Sequence, residues 1–143
     1  GIDQRKIHML AREHLPSVGY PAPVCIHTPI LNGLDGRKMS SSSHNYISVA
    51  DSVENIEKKC QKAFCPPECE DNPILQILQY HIFPRVLRVE VRRPEKFGGD
   101  REFASYAELE DAYRKGEIHP LDLKKTTARY LADILAGVRD HVS

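Results

Sequence analysis

Apolar positions recur at helical spacing along several stretches of this chain and alternate in one. Between residues 4 and 14, Ile7, Leu10 and Ala11 fall on one side of a helical wheel, with Arg5, Lys6 and Arg12 on the other, which predicts a helix. Pro16 to Pro23 is a turn-rich connection. Val24 to Leu31 is an apolar run of strand length and reads as a buried strand. Asn32 to about Asn45 is a loop, and Tyr46 to Val49 suits a short extended piece. Asp51 opens the next helix as a cap, with Glu54 three residues later completing a capping box. Val53, Ile56, Cys60 and Phe64 trace its buried stripe, and Cys65-Pro66-Pro67 ends it.

From Pro73 the pattern is mostly helical. Ile74, Ile77, Leu78 and His81 share a face, and Pro84 stops that helix. Val86 to Arg93 alternates, with Leu87, Val89 and Val91 on one side, as in a half-buried strand that Arg101 to Ala104 can pair with. Ser105 and Glu108 form a second capping box, starting a helix to about Lys115. His119-Pro120 opens the last helix, whose stripe is Leu131, Leu135, Val138 and Val142. A helix, a connection and a buried strand suggest the tail of an α/β sheet, followed by a mainly helical part. The boundary is placed near Ala50 to Glu54, giving residues 1–50 and 51–143.

Composition narrows the function classes. The 143 residues are 41% apolar and 28% charged, with 20 basic and 20 acidic side chains and a formal net charge of zero. A chain that coats nucleic acid nonspecifically is usually basic overall, so any such contact here is local. No apolar run reaches the length of a membrane span, and no basic-then-apolar leader is visible. The chain starts at Gly1 and enters a helical pattern at once, which reads as a fragment or a processed product. Cys60, Cys65 and Cys69 cluster, but their spacing matches no common zinc pattern, and no metal site is expected.

Several segments carry candidate chemistry. Lys38-Met39-Ser40-Ser41-Ser42 sits in a loop flanked by Gly33 and Gly36. A lysine and hydroxyls on a mobile loop can meet the charge that develops on a leaving pyrophosphate, although a flexible serine-rich linker has the same composition. Gly1-Ile2-Asp3-Gln4 heads a helix, where a glycine allows close approach and a carboxylate can accept from ribose hydroxyls; plain capping by Asp3 fits equally. Arg92 to Asp100 is a basic, glycine-ended loop with one aromatic, Phe97, which either stacks on an unpaired base or tucks into the core. Asp122, in His119-Pro120-Leu121-Asp122, can accept from a guanine edge or simply complement the helix dipole.

Together these segments resemble the archaeal and eukaryotic kind of tyrosyl-tRNA synthetase, the archaeal form more closely. The matching stretches are GIDQRKIHMLAREHLP, GLDGRKMSSS, KKCQKAFCPP, RRPEKFGGD and HPLDLKK, in that order, so the resemblance covers essentially the whole chain. It implies the α/β end of a Rossmann catalytic domain (1–50), followed by a mainly α-helical anticodon-binding domain with a small β-hairpin (51–143). It implies that Gln4 binds tyrosine, that Gly1 and Asp3 lie against the adenylate ribose, and that Lys38, Met39, Ser40, Ser41 and Ser42 hold the ATP phosphates. Phe97 would stack on the first anticodon base, Asp122 would read its edge, and His119 with Cys65 and Pro66 would line the same surface. Ser41 stands where the general class I motif Lys-Met-Ser-Lys-Ser has its second lysine.

The resemblance further implies ATP with magnesium, tyrosine and tRNA(Tyr), contacted at anticodon and acceptor end, as ligands. It also implies a cytoplasmic, homodimeric full-length enzyme and an N-terminal catalytic half that this chain lacks. A stand-alone tRNA anticodon-binding module without catalysis is the second reading, and a metal-binding regulator using the cysteines the third. The related synthetase for tryptophan shares the serine loop, but GIDQRKIHMLARE, RPEKFGGD and HPLDLKK favour tyrosine.

Overall fold

The computed structural model describes residues 1–142, and the side chain of Val142, expected on the last helix's stripe, lies outside the described residues. The chain divides into two compact units, Gly1–Leu31 and Asn32–Ser143. The serine loop therefore belongs to the second.

In the first unit a 3-10 turn, Ile2–Gln4, leads into α1 (Arg5–His14), and a second 3-10 turn, Leu15–Val18, stops at Gly19 with φ +85°. The expected helix forms, but Ile7 and Leu10 are exposed while His8, Met9 and Ala11 are half-buried. The strand expected over Val24–Leu31 does not form, and Val24 and Ile26 are 88% and 86% exposed. Pro29 removes a ladder donor inside this segment, and Pro21 and Pro23 remove two more just before it. Two carbonyls of this stretch are met from the N-terminal helical residues: the Ile2 N–H donates to the Thr28 carbonyl at 2.9 Å, and Arg12 Nη1 to the Pro23 carbonyl at 2.9 Å. The Rossmann sheet expected from this run is thus not part of the chain.

The second unit is a helical body with one hairpin. Its first helix, α2 (Val53–Lys62), is capped by Ser52, whose hydroxyl accepts the Asn55 N–H at 3.3 Å. Asp51, the expected cap, instead accepts from the Ser48 N–H at 2.7 Å and pairs with Lys59. Ile56 and Cys60 are buried, but Ala63 turns extended and leaves Phe64 half-exposed. Asn72 caps α3 (Pro73–Ile77), which widens into one π-helical turn, Leu78–Ile82. That extra residue rotates the expected stripe, burying Ile82 and leaving His81 exposed.

The strands β1 (Val89–Val91) and β2 (Arg101–Phe103) pair antiparallel, Val89 opposite Phe103 and Val91 opposite Arg101. Leu87, expected on the buried side, lies outside β1 and is exposed. Ser105 caps α4 (Tyr106–Arg114), and Glu108 reaches back to the Ala104 N–H at 3.0 Å. The last helix, α5 (Pro120–Val142), starts on its proline as expected. It covers the free edge of β1: Tyr130 Oη accepts the Glu90 N–H at 3.0 Å, and Arg129 Nη2 donates to the Glu90 carbonyl.

One core joins Ile74, Leu75, Leu78, Ile82, Val89, Val91, Phe103, Leu109 and Leu123. The other joins Ile56 and Cys60 to Ala128, Leu131 and Ala132, packing α2 on α5. The Cys60 thiol is pushed up to about 12 by burial, so it is an inert core group.

Candidate functional site

The serine loop has a rigid root. Asn32 and Lys38 form an antiparallel bridge, and the Gly33 N–H donates to the Arg37 carbonyl at 2.7 Å. Inside the turn sits Asn45, 7% exposed. Its Nδ2 donates to Asp35 Oδ1 at 2.8 Å and to the Lys38 carbonyl at 3.2 Å, and its Oδ1 accepts the Ser40 N–H at 2.9 Å. Asn45 and the Arg37 N–H together hold the Asp35 carboxyl below its ordinary range. A Cβ on Gly33 would lie 2.1 Å from Asn45 Nδ2, so that position admits no side chain. Gly36 has φ +78° and sits over the Phe64 ring.

The root is tied to the helical body. The Phe64 N–H donates to the Leu34 carbonyl at 2.6 Å, and Gln76 Oε1 accepts the Asn32 N–H at 2.8 Å. Leu34 packs on one core and Ile47 on the other. Beyond the root, Lys38, Met39, Ser41 and Ser42 are exposed, and the Ser40 and Ser42 hydroxyls lie 2.8 Å apart. Lys38 makes no ion pair among the described residues. The arrangement is a fixed base carrying a free cation and hydroxyls. A structureless linker would lack the Asn45 network.

In the first unit, Gly1, Asp3 and Gln4 share one exposed turn, where Gln4 Nε2 donates to Asp3 Oδ2 at 3.1 Å. A Cβ on Gly1 would meet Asp3 Oδ1 at 2.7 Å.

The second unit brings three expected residues to one open cleft of about 720 Å³. Phe97, His119 and Asp122 line it, together with Pro67, Arg93 and Lys125. Phe97 is 61% exposed, which removes the reading in which it fills the core. Its ring lies at the end of a short 3-10 turn, Glu95–Phe97, closed by Gly98 at φ +96°, and Lys96 Nζ sits 4.9 Å from the ring centre. Arg93 fixes this loop: its Nε donates to the Gly99 carbonyl at 2.9 Å and its Nη1 to the Glu117 carbonyl at 2.6 Å. The His119 Nδ1 accepts the Leu121 N–H at 3.1 Å, which leaves Nε2 as the donor of the neutral ring. Asp122 stands in the first turn of α5, where the helix dipole favours a carboxylate.

Cys65 and Pro66 lie behind the cleft, and Pro67 supplies its wall. The Tyr113 hydroxyl donates to the Pro66 carbonyl at 2.7 Å and receives the Cys65 thiol at 3.3 Å, while Asn72 Nδ2 also donates to Pro66 at 3.1 Å. Burial and Cys65 together raise the Tyr113 phenol above its ordinary range. Sequence alone singles out neither Asn45 nor Asp35, and it marks Arg93 as part of the basic Phe97 loop without its tie to Glu117. A polar residue closing a glycine turn was the available signal for the first two; Arg93 reaches across to Glu117, which no local pattern reveals.

A family profile described as class I tRNA synthetases for tryptophan and tyrosine matches residues 1–136. The tyrosine–tRNA ligase of Methanoculleus marisnigri is 74% identical over 142 residues, covering 99% of this chain and 45% of that protein. The structure of tyrosyl-tRNA synthetase with L-tyrosine from Archaeoglobus fulgidus superposes with a TM-score of 0.93 at 57% identity, over 100% of this chain and 45% of that one. The synthetase from Aeropyrum pernix gives 0.85 at 41% identity, over 99% and 42%. The chain thus spans about half the length of these relatives. With nearly its whole length matched and with like folds at high identity, the chain belongs to the class I tRNA synthetases of the tryptophan and tyrosine group.

Proposed function

We propose that this chain is the C-terminal part of a tyrosine–tRNA ligase, in which residues 1–50 serve tyrosine activation and residues 51–143 bind the tRNA anticodon. The observation that carries this reading is the Phe97–His119–Asp122 cleft, an exposed aromatic face beside a carboxylate and an imidazole N–H. An aromatic ring takes an unpaired base by stacking, and a carboxylate accepts from a guanine Watson–Crick edge. The names of the relatives supply tyrosine as the amino acid.

In the reaction, the tyrosine carboxylate attacks the α-phosphate of ATP and pyrophosphate leaves. A terminal ribose hydroxyl of the tRNA then attacks the adenylate carbonyl and AMP leaves. Lys38 meets charge on the departing pyrophosphate, and the hydroxyls of Ser40, Ser41 and Ser42 and the Met39 N–H donate to it. Ser41 in place of a second lysine leaves Lys38 as the motif's cation. Gly1 and Asp3 face the ribose, and Gln4 holds tyrosine. Magnesium would enter with ATP and would supply further positive charge at the phosphates; no group of three His, Cys, Asp or Glu that could hold a metal ion is found among the described residues. Homodimer formation belongs to the full-length enzyme.

The test is binding of RNA hairpins that differ only in the first anticodon base. A guanine preference that Phe97→Ala abolishes is the expected result, and indifference to that base would contradict it. The same assay with positive binding and no exchange of pyrophosphate into ATP by this chain fits a part that needs its N-terminal half. Exchange by the 143-residue chain alone would overturn that need.

A further inference from the structure

The helices α2 and α5 leave a second cleft between them, of about 400 Å³, lined by Glu57, Gln61, Leu121, Lys124, Lys125 and Ala128. It continues the base cleft, because Leu121 and Lys125 line both. Lys124 Nζ donates to the Gln61 carbonyl at 3.2 Å, at the C-terminal turn of α2. Carbonyls there lack helical partners, and the dipole favours a cation, so the ammonium is held on the groove wall with donors to spare. Lys125 is exposed and makes no ion pair among the described residues. Lys58 and Lys62 are exposed on α2, and Glu57 is the acidic side chain of the lining. Two lysines against one carboxylate give the lining itself a net positive charge. The lining has no aromatic ring on which a base could stack. Cations without a stacking platform suit a sugar–phosphate backbone and not bases.

We propose that the α2–α5 groove binds the phosphate backbone of an RNA stem whose loop base enters the adjoining Phe97–Asp122 cleft. This rests on the anticodon-binding reading. Lys124 and Lys125 each neutralise a phosphate, and they set affinity without reading sequence.

The experiment measures binding of this chain to an RNA hairpin carrying the tyrosine anticodon across a salt series. The same loop sequence without a stem, and polyglutamate as competitor, are measured alongside. The Lys124→Gln, Lys125→Gln double variant should bind the hairpin about tenfold more weakly, by the same factor for every first anticodon base. Its plot of log affinity against log salt should be shallower by roughly 1.4–1.8, at about 0.7–0.9 per lost phosphate contact. The stemless loop should lose little, and the Lys125→Arg variant should keep the slope. Unchanged affinity and slope in a folded double variant overturn the groove and leave the base cleft's role standing. Equal competition by polyglutamate makes the groove a general anion site and overturns the RNA assignment. Lysine-dependent hairpin binding with no base preference keeps the groove and removes the anticodon reading. No hairpin binding by the unaltered chain overturns both.

Discussion

Asn45 holds Asp35 and the serine loop in one network: its Nδ2 meets Asp35 Oδ1 at 2.8 Å while its Oδ1 takes the Ser40 N–H at 2.9 Å. Replacing Asn45 by Ala removes the donor to Asp35 and the acceptor for Ser40 together. Gly33→Ala should act the same way, since its Cβ would displace the Asn45 amide. In a complete enzyme both variants are expected to slow tyrosine activation with tyrosine affinity unchanged. Weaker tyrosine binding at an unchanged rate would refute the network's role in the loop.

The Asp35 carboxyl gives this network a pH dependence. Its folded pKa lies below the ordinary value of 3.8, with Asn45 as the main cause and the Arg37 N–H next. A depressed pKa contributes order that is complete above the unfolded value and is lost as pH falls through the folded one. The loop should therefore hold through neutral pH and loosen only below about pH 4. The Ser40 amide shift followed by NMR from pH 7 to pH 2 checks this, and a transition near neutrality would count against it.

Lys38 supplies the loop's cation. In a complete enzyme, Lys38→Ala should reduce the rate of adenylate formation by about 100–1,000-fold, the cost of removing one preorganised group that meets developing charge. Tyrosine dissociation should stay within about twofold. Rapid-quench measurement of pyrophosphate release separates the two.

Arg93 is the staple of the Phe97 loop. Arg93→Ala loses its bonds to the Gly99 and Glu117 carbonyls, while the Arg93 N–H still donates to Asp100 at 2.9 Å. Hairpin affinity should fall about tenfold, and unfolding free energy by about 1–3 kcal/mol. Arg93→Lys cannot span both carbonyls and should recover little.

Tyr113→Phe tests the support behind the cleft. It removes the donor to Pro66 and the acceptor for the Cys65 thiol, but Asn72 still donates to Pro66. The cost should be about 1 kcal/mol in urea unfolding, with the m-value unchanged. A loss above about 3 kcal/mol would mean that Tyr113 carries packing beyond these bonds.

Much of the second unit was legible from local pattern. The Ser105 cap, the Pro120 start of α5 and the pairing of β1 with β2 follow from residues close in sequence. The π-helical turn at Leu78–Ile82 was not legible, because one inserted residue shifts a stripe without changing composition. Val24–Leu31 forms no strand, since an apolar run signals burial only if a partner strand exists, and Pro29 within it cannot donate to a ladder. Of the site, Phe97, His119 and Asp122 were named from sequence and do meet in one cleft. The stapling bonds of Arg93 and the network of Asn45 were not, because both depend on contacts that only the folded chain creates.

The bonds from Leu34 to Phe64 and from Asn32 to Gln76 turn the serine loop into a hinged flap. Residues 39–44 lie beyond these anchors. Fixing a free residue costs about 1–2 kcal/mol of backbone entropy, so a short flap has little to lose on closing over a ligand. The Ser40–Asn45 bond has already removed part of that cost. In a complete enzyme, lengthening this segment with inserted glycines should therefore weaken ATP binding and leave the rate of the bound complex nearly unchanged, as equilibrium binding and single-turnover measurement would separate.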